Sequence, residues 1–554
     1  MGNRCCTAWC AILLVISTLA GSSLAGNAEN PAQAPKAPPC AVAKNVFIFI
    51  ADGGGFNAYN AASYYEFGRL GCQPYDQPEW IELASQSNPL HPFAQKPENK
   101  PDEDSGAEVD PYLPQNVWDA RLDAASTSAI ARGLPVKGYR YLTDGPTDSA
   151  ASATAMAMGR KTINGRINVI QDSCDTAWLA DGQNIAEIAD SMGMSAGVVT
   201  TVQWNDATPA AFGAAHDPSR TDRRQLAIEM LTSRTLDVIM GAGHPEYDQN
   251  GAPRTPDKET DFDIVGGSVM WDRLRTATTA RHWKLIQTRS DFESLASGRM
   301  RTSGPVFGLA RVSGATQHER QTRDWNRDGA INAADIKVAP PFKDPFIPTS
   351  PSLATMSLGA INVLSQNPNG FFIMIEGGAV DHAAHNNQPG RLIEEQIDYN
   401  RAVRAVLGWI QTHGGWRDNL VIITADHETG MVWGPDSDLF PFEPLTNRGA
   451  GHVPAMWFNS GGHSRSLVPL MARGPGASLF ESFIIGDDPA YGAYVQNTSI
   501  FEVMNAAITG KAPRRLPEQN QRTIVQLKTG VMRTLSSKSM TPTTQGSGGA
   551  PPGD

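Results

Sequence analysis

Residues Asn45-Val-Phe-Ile-Phe-Ile-Ala-Asp52-Gly-Gly-Gly55 join an unbroken apolar run to one acidic residue and three glycines. A short continuous apolar run is typical of a strand in a parallel sheet that is covered on both faces. An acid at the carboxyl end of such a strand lies where open α/β sheets bind their ligands. The stretch therefore predicts a buried strand that ends at a functional Asp52, although a turn aspartate before a glycine-rich loop has the same local pattern.

Three further segments repeat this apolar run, at Ala196–Val202, Phe371–Glu376 and Asn419–Thr424. Helix-like segments such as Gly182–Met192 and Ile393–Trp409 separate them. Alternation of buried strands with helices is typical of a sheet that carries helices on both faces. We therefore predict an α/β fold, a three-layer sandwich with a central, mostly parallel sheet flanked by helices, with insertions.

Length and composition describe a large globular chain. It has 554 residues, of which 40% are hydrophobic and 19% charged, ordinary values for a folded protein. Two polar stretches without clear periodicity read as insertions, and the Ser-, Thr-, Gly- and Pro-rich end reads as disordered. The predicted organisation is a signal peptide at 1–25, a flexible leader at 26–42, a main domain at 43–535 with insertions near 73–120 and 240–350, and a disordered tail at 536–554.

The amino terminus has the three parts of an export signal. Arg4 supplies the positive charge, Ala8 to Ala20 is apolar, and small residues precede a cleavage site at Ala25. The apolar run is shorter than the roughly 20 residues that a membrane span needs. We therefore expect a secreted or periplasmic protein with no membrane span in the mature chain.

Net charge and cysteine count narrow the function classes. The formal net charge of −11 argues against a nucleic-acid partner, because phosphate backbones need a surface rich in Lys and Arg. Outside the signal, the cysteines are Cys40, Cys72 and Cys174, which permit one disulfide and one free thiol without fixing the pair. No CxxC pair remains, so a thiolate zinc site is not expected.

The segment Thr147-Asp148-Ser149 precedes an Ala-rich run that ends at Gly159. Alanine favours a helix and glycine is typical of a helix end, so Ser149 is predicted at a helix amino terminus. The helix dipole and the free N–H groups there favour an anion, such as an alkoxide or a phosphate. An ordinary helix cap has the same pattern.

A further group of polar residues follows the strand predicted at Ala196–Val202. Asp206 and Thr208 offer two hard oxygen ligands, which suit magnesium directly or through water. Arg220 carries a guanidinium that can bind two phosphate oxygens. Taken singly, the first pair also fits a helix start before Pro209, and the arginine fits an ordinary surface position.

The segment Glu376-Gly-Gly-Ala-Val-Asp381-His382-Ala-Ala-His385 is the most informative. Asp381 and His385 are four residues apart, so a helical turn places both on one face, as a zinc pair requires. Glu376 lies at the tip of a predicted strand, where core packing does not account for a carboxylate. Asp426 and His427 follow the strand ending at Thr424, and His463 precedes another apolar run. Acidic and histidine residues at several strand ends together predict a metal centre.

Taken together, these segments resemble the alkaline phosphatase family. The resemblance covers roughly residues 44–70, 140–240 and 350–510. Its most specific part is Thr147-Asp148-Ser149-Ala-Ala-Ser-Ala-Thr-Ala followed by Lys161-Thr-Ile-Asn-Gly165, which is similar to the family's nucleophile signature. The resemblance implies a broad-range hydrolase of phosphate monoesters that works through a phosphoserine on Ser149, with residues 43–535 as its catalytic domain.

The resemblance also implies a set of ligands, carried over position by position. A first zinc ion would be held by Asp381, His385 and His463. A second zinc ion would be held by Asp52, Ser149, Asp426 and His427. A magnesium ion would be held by Asp52, Thr208 and Glu376, with Asp206 acting through water. The phosphoryl oxygens would be bound by Arg220, with Asp148 beside it.

The chain also departs from the family pattern. It pairs Asp206 with His382, two positions that vary in the family and tune the third metal site, so magnesium and zinc both stay open there. The stretch between Asp52 and Ser149 is longer than usual, which leaves the rim of the pocket open. The family is commonly dimeric, and a homodimer is expected unless the added segments block that interface.

Residues 324–335 carry the pattern of a calcium loop, which the family resemblance does not imply. Oxygen ligands occupy loop positions 1, 3, 5, 9 and 12, with glycine at position 6. The predicted calcium ligands are Asp324, Asn326, Asp328, Asn332 and Asp335. A polar Asp/Asn turn is the alternative, and a single loop inside an insertion would serve to stiffen that insertion.

Two other functions stay open at this point. A phosphodiesterase or sulfatase of the same superfamily would share most of these residues, although Arg220 and the complete magnesium set favour the monoester. A non-catalytic, calcium-dependent interaction protein is the alternative from another class, and the intact ligand set argues against it.

Overall fold

The computed structural model describes residues 41–90, 112–118, 138–171, 178–179, 184–440 and 442–513. The segments predicted as a signal peptide, a disordered tail and, in nearly all its length, a flexible leader lie outside these residues, as do Cys40 and Cys174. Cys72 has no disulfide partner within the described ranges. In the same ranges, helices of the length and apolarity needed to cross a bilayer are absent.

The first strand, β1 (Asn45–Ala51), matches its prediction and is buried along its whole length. Val46, Ile48 and Ile50 pack into one hydrophobic cluster, and Phe47 and Phe49 pack into another. Because the side chains of a strand point alternately to the two faces, both faces of the sheet are covered here. This explains the unbroken apolar run in the sequence.

The described residues form an eleven-stranded sheet around β1. The other ten strands are β2 (Ile81–Gln86), β3 (Ser195–Gln203), β4 (Val238–Ala242), β5 (Lys284–Ile286), β6 (Val306–Leu309), β7 (Phe371–Gly377), β8 (Asn419–Thr424), β9 (Val468–Arg473), β10 (Gly486–Asp488) and β11 (Gly492–Gln496). Their order across the sheet is β10-β11-β2-β9-β8-β1-β7-β3-β4-β6-β5.

Strands β8, β1, β7, β3, β4, β6 and β5 are mutually parallel. Strand β9 is antiparallel to β8 and to β2, β11 is parallel to β2, and β10 is antiparallel to β11. The sheet is therefore mostly parallel, and β1 lies within its parallel block. The carboxyl ends of all strands in that block meet at one edge.

Helices cover both faces of the sheet. One layer packs against the cluster that contains Ile48 and consists of α3 (Ser149–Met158), α4 (Ile185–Ser191), α5 (Ala207–Phe212), α6 (Arg223–Thr232), α7 (Ser268–Arg275) and α14 (Thr498–Thr509). The opposite layer packs against the cluster that contains Phe47 and consists of α8 (Arg289–Ala296), α10 (Leu353–Leu364) and α12 (Pro389–Thr412). The three-layer prediction is confirmed.

Five further helices occur in the described chain. They are α1 (Phe56–Phe67), α2 (Arg140–Thr143), α9 (Ala333–Val338), α11 (Ala379–His385) and α13 (Gly415–Asp418). Short 3-10 turns occur at Pro114–Asn116, Glu259–Val265 and Ala477–Phe483. Three pairs of two-residue strands complete the fold, at Ile170–Gln171 with Trp178–Leu179, Glu428–Thr429 with His463–Ser464, and Val432–Trp433 with Trp457–Phe458.

Both stretches that the sequence marks as insertions contribute to the main sheet. The first, near 73–120, supplies β2, and the second, near 240–350, supplies β4 in part, β5 and β6. These strands are short or polar, so periodicity does not distinguish them from loop. The limits of the main domain at 43–535 stay a prediction.

A buried ionic cluster fixes the second of these stretches to α12. Arg320 Nη2 lies 2.9 Å from Glu394 Oε2, and Arg391 Nη1 lies 2.8 Å from the same oxygen. Arg391 also donates to Asp344, and both arginine side chains are fully buried. Because a buried charge is tolerated only when it is paired, this cluster holds the segment around Arg320 in one position.

Candidate active site and metal centre

The predicted acidic residues meet at one edge of the sheet because their strands are neighbours. Asp52 directly follows β1, Glu376 is the second-last residue of β7, and Asp426 lies two residues beyond the end of β8. The register pairs Ile50 of β1 with both Glu376 and Thr424. The three carboxylates therefore stand at nearly the same level, as expected for parallel strands that end together.

Ser149 is the first residue of helix α3. The carboxylate of Asp148 caps this helix by accepting from the Ala151 N–H at 2.9 Å. The Ser149 side chain is buried, and its Oγ lies 3.2 Å from His427 Nε2. The predicted nucleophile therefore stands at a helix amino terminus, where a negative charge is stabilised.

The first predicted zinc set comes together around two histidine nitrogens. The Nδ1 atoms of His385 and His463 lie 2.8 and 2.7 Å from the carbonyl oxygens of Gly461 and Thr147. A carbonyl oxygen only accepts, so each Nδ1 carries the proton and each Nε2 carries a lone pair. The two Nε2 atoms nevertheless face each other at 3.0 Å. Asp381 completes the set, with carboxylate oxygens 3.3 and 3.6 Å from these nitrogens.

The second predicted zinc set surrounds His427. Its Nε2 lies 3.1 Å from Asp426 Oδ2 and 3.6 Å from Asp52 Oδ1, on the same side as the Ser149 oxygen. Both carboxylate oxygens are buried and have no hydrogen-bond partner among the described residues. Burial and the charges of Asp426 and Asp381 raise the pKa of Asp52 well above its usual range. Burial and the charge of Asp381 raise the pKa of Asp426 to about 7.

These orphaned oxygens are the observation that fits a bound cation. Several buried carboxylates cannot all be ionised side by side without a positive charge between them. Imidazole nitrogens together with carboxylate oxygens are the donors that zinc prefers. His427 borders both zinc sets, since it also groups with Asp381 and His463 within ligand distance, and its ring stacks on His463 with centroids 3.6 Å apart.

The predicted magnesium set contains two further buried oxygens without a partner among the described residues. Glu376 Oε1 and Thr208 Oγ1 are buried, and neither has a hydrogen-bond partner in the part of the chain that the structure describes. Burial, together with the charges of Asp206 and Asp426, raises the pKa of Glu376 to about 8. Oxygen-only donors of this kind suit a hard cation such as magnesium.

Asp206 occupies a different position from the other acidic residues. Its Oδ1 lies 2.8 Å from Arg223 Nη2 and 3.3 Å from Arg220 Nη2. Burial would raise the pKa of Asp206, but the charges of Arg223 and Arg220 outweigh burial and hold it below its usual range. Asp206 is thus an ionised partner of two arginines.

Arg220 is fixed beside the helix that carries Ser149. Its Nη1 lies 3.1 Å from Asp148 Oδ2, while Asp148 Oδ1 caps the helix. Asp148 also accepts from the Gly165 N–H at 2.9 Å. One carboxylate therefore orients both the helix start at Ser149 and the guanidinium of Arg220.

Sequence reasoning did not find several residues that orient the ligands. Thr429 Oγ1 lies 2.6 Å from Asp381 Oδ1 and 3.2 Å from His427 Nδ1. Thr200 donates to Glu376, and Arg223 pairs with Asp206. Thr429 follows His427 by two residues, the spacing that places side chains on one face of a strand, and this is the one local signal that was available.

The predicted calcium loop is ordered by its own side chains. Asp324 accepts from the N–H groups of Asp328 and Gly329 at 3.1 and 3.0 Å. Asp335 accepts from the N–H groups of Asn326 and Asn332 at 2.9 and 2.8 Å. The positive φ of 92° at Gly329 meets the sharp turn that loop position 6 requires. These hydrogen bonds hold the loop in a compact turn, and calcium binding stays a prediction.

Comparison with known proteins supports the same family. Residues 137–467 match the protein family described as Alkaline phosphatase. Alkaline phosphatase of Escherichia coli (strain K12) is 28% identical over 396 residues, which cover 65% of this chain and 74% of the relative. Streptomycin-6-phosphate phosphatase of Streptomyces griseus is 28% identical over 429 residues, which cover 72% of this chain and 84% of the relative.

Among solved structures, Thermus thermophilus alkaline phosphatase covers 88% of this chain and 97% of its own length. The TM-score is 0.52 at 17% identity, a likeness that concerns the fold alone. The family match spans more than half of the chain and contains Ser149, Arg220, Asp381, His427 and His463. The resemblance predicted from the sequence is therefore confirmed, and the chain belongs to the alkaline phosphatase family, whose members hydrolyse phosphate monoesters.

Proposed function

We propose that this enzyme hydrolyses a broad range of phosphate monoesters through a phosphoserine on Ser149, with two zinc ions and one magnesium ion as cofactors. The contact that carries the proposal is the 3.2 Å approach of Ser149 Oγ to His427 Nε2, beside the unpaired oxygens of Asp52 and Asp426. The imidazole beside the Ser149 hydroxyl is that of His427, which is itself a proposed metal ligand. A bound cation, rather than a general base, would therefore activate this hydroxyl.

The residues sort into three groups of donors for these cofactors. One zinc ion would be held by Asp381, His385 and His463. The other would be held by Asp52, Asp426 and His427, next to Ser149. Magnesium would be held by Asp52, Thr208 and Glu376. When bound, these cations would lower the pKa of the Ser149 hydroxyl, neutralise the carboxylates and stabilise negative charge on the reacting oxygens.

The first chemical step forms the phosphoserine. Ser149 Oγ gives its proton to water and attacks phosphorus. As the new P–O bond forms, the bond to the alcohol oxygen breaks, and the alcohol leaves as an alkoxide that takes a proton from water. Arg220 binds two phosphoryl oxygens of the transferring group, because its guanidinium is held by Asp148 at 3.1 Å. The amino terminus of α3 stabilises charge on the same group.

The second step reverses the first with water in place of the alcohol. Water attacks phosphorus and gives up one proton, the bond to Ser149 Oγ breaks, Oγ takes up a proton to restore the hydroxyl, and inorganic phosphate leaves. Asp206 holds Arg220 and Arg223 through both steps. Its predicted role as a magnesium ligand through water stays a prediction, as does the identity of the third metal, because His382 lies beside this region.

Export, oligomeric state and calcium binding remain predictions from the sequence. We propose export with cleavage near Ala25, which sequencing of the mature amino terminus tests. A homodimer, the absence of nucleic-acid binding and a stiffening role for calcium at Asp324 to Asp335 are further expectations. A mature protein that still begins at Met1 would contradict the export prediction.

The direct test is Ser149→Ala. Removing the nucleophile should abolish phosphoserine labelling by a phosphate ester and lower kcat/KM at least about 10³-fold. Ser152→Ala, one turn further along the same helix, is the matched control, because its hydroxyl contacts the Asp426 carbonyl rather than the His427 ring. Labelling that survives Ser149→Ala would show that another residue is the nucleophile.

Substrate preference separates the remaining alternatives. We expect a higher kcat/KM on nitrophenyl phosphate than on the bis-ester or the sulfate, because Arg220 and the magnesium residues match a doubly charged monoester group. A higher value on either competitor would assign the enzyme to the diesterases or the sulfatases. Loss of activity on chelation and its return with zinc would exclude the non-catalytic alternative.

A further inference from the structure

A second group of ligand-type side chains shares no residue with the three donor groups described above. One nitrogen of His318, one nitrogen of His382 and one carboxylate oxygen of Glu319 lie within 4.8 Å of one another. His318 is buried, with 4% of its surface exposed, and the other two residues are half-buried. The proposed catalytic chemistry uses none of these three side chains.

His318 carries an unused nitrogen inside the protein. Its Nε2 lies 2.7 Å from Gln388 Oε1, an amide oxygen that only accepts, so Nε2 carries the proton. Its Nδ1 therefore has a lone pair, and this buried atom has no hydrogen-bond partner within the described ranges. A buried acceptor left without a partner destabilises the folded protein, so a ligand at this nitrogen would be stabilising.

Glu319 reaches this place because residue 314 is a glycine. A Cβ at Gly314 would overlap the carboxylate of Glu319. The backbone of Gly314 is not in the left-handed region, so its conformation does not require a glycine. The absence of a side chain at 314 instead leaves room for the Glu319 carboxylate. The carboxylate lies in space that a side chain at 314 would otherwise fill.

The three side chains come from two segments, since His318 and Glu319 share one turn and His382 lies on α11. Arg320, next to Glu319, is fully buried and pairs with Glu394 of α12 at 2.9 Å. His382 lies on α11, and its ring centroid is 5.8 Å from that of His318. Donors that are fixed before binding lose little conformational freedom when an ion arrives.

We propose that His318, Glu319 and His382 bind one divalent transition-metal ion, with His318 Nδ1 as the buried ligand. Two imidazoles and one carboxylate match zinc, and three protein ligands leave a fourth position open. That position faces a cavity of about 540 Å³, which is also lined by His385 of the first predicted zinc set. The ion would therefore present water or an anionic group to the space beside the active site.

Metal content tests this proposal without any turnover, so its outcome does not depend on the proposed function. The double variant His318→Gln/Glu319→Gln should bind one zinc ion fewer per chain than the unaltered protein after saturation and dialysis. Gln321→Ala is the matched control, since Gln321 lines the same cavity and lies outside the group. Equal zinc content in the double variant and the unaltered protein would overturn the proposal.

A second variant keeps the test informative if the double variant does not fold. Gly314→Ala retains all three ligands but displaces the Glu319 carboxylate, and should weaken zinc binding at this site about tenfold or more. Anomalous scattering at the zinc edge from crystals of the zinc-saturated protein should place a peak between His318, Glu319 and His382. A map without that peak, or Gly314→Ala with unchanged zinc affinity, contradicts the assignment.

Discussion

At the scale of single residues, hydrogen bonds to backbone and hydroxyl groups decide which histidine nitrogens are free to bind a metal. Carbonyl oxygens fix the protons of His385 and His463 on Nδ1. His427 Nδ1 instead lies 3.2 Å from Thr429 Oγ1, and that hydroxyl lies 2.6 Å from Asp381 Oδ1. Since the hydroxyl donates to the carboxylate, it accepts from Nδ1–H, which leaves the lone pair of His427 on Nε2, facing Ser149.

Thr429→Val removes this hydroxyl at nearly constant volume. We expect zinc affinity and kcat/KM to fall about 10–100-fold, the usual cost of losing a group that orients metal ligands. Thr429→Ser keeps the hydroxyl and should retain most of both quantities. Competition with a chromogenic chelator measures the affinity, and equal affinities for the two variants would contradict an orienting role.

Three of the predicted site residues share one property. Asp52, Glu376 and Asp426 stand at or just after the ends of buried strands, where the chain's own pattern marks them. Thr429 and Thr200 act through contacts across the fold, and no local pattern distinguishes them from ordinary strand threonines. His318 likewise becomes notable only when α11 places His382 beside it.

At the scale of elements, helix α3 connects the chemistry to the core. It begins at Ser149 and ends where Gly159 adopts a left-handed backbone with φ of 68°. A Cβ at Gly159 would lie 2.5 Å from the ring of Phe501 in α14. The helix carboxyl end is therefore packed tightly against the last described helix, which fixes the position of the nucleophile at the opposite end.

Gly159→Ala should destabilise the protein through this contact. Gly298 has a similar φ of 71° and no neighbour within 4 Å, so Gly298→Ala carries the backbone strain without the overlap. We expect the free energy of unfolding to fall about 1–3 kcal/mol more for Gly159→Ala, the usual cost of overpacking a core. Chemical denaturation measures both, and equal losses would show that the contact with Phe501 relaxes freely.

The predicted bounds of strands and helices agree with the structure where the sequence pattern is strong. The four continuous apolar runs gave strands β1, β3, β7 and β8 to within one residue at each end. Helix α12 runs from Pro389 to Thr412, longer than the predicted Ile393–Trp409, because proline suits a first helical turn. Strand β2 has the sequence IELASQ, whose mixed polarity does not predict a strand. The segment is recognised as a strand by its pairing with β9 and β11.

At the scale of the whole molecule, stability in acid depends on buried groups as well as on metal ligands. His244 follows β4, is buried, and has both ring nitrogens in use. Its Nε2 lies 2.7 Å from Gln287 Oε1, and its Nδ1 accepts from the Glu246 N–H at 3.1 Å. Burial lowers the pKa of His244 to about 4, so the folded protein holds this ring neutral.

The folded pKa lies below the unfolded value of about 6.5, so the unfolded chain binds the extra proton between pH 6.5 and pH 4. Stability linked to His244 is therefore complete above pH 6.5 and is lost as the pH falls towards 4. The loss amounts to at most about 3 kcal/mol, since one pKa unit corresponds to about 1.4 kcal/mol. His244→Gln should lose less stability over this range, as measured by denaturation at each pH, and parallel curves for the two proteins would refute the assignment.

The proposed metal ligands are drawn from nearly the full length of the described chain, from Asp52 to His463. A growing polypeptide that has reached Asp426 already contains all the strands of the parallel block, yet it lacks His463, the last imidazole of the first predicted zinc set. The complete set of proposed ligands is therefore present only after His463 has been synthesised. A truncated chain that ends before His463 is consequently expected to lack activity, even if it contains every strand of the parallel block.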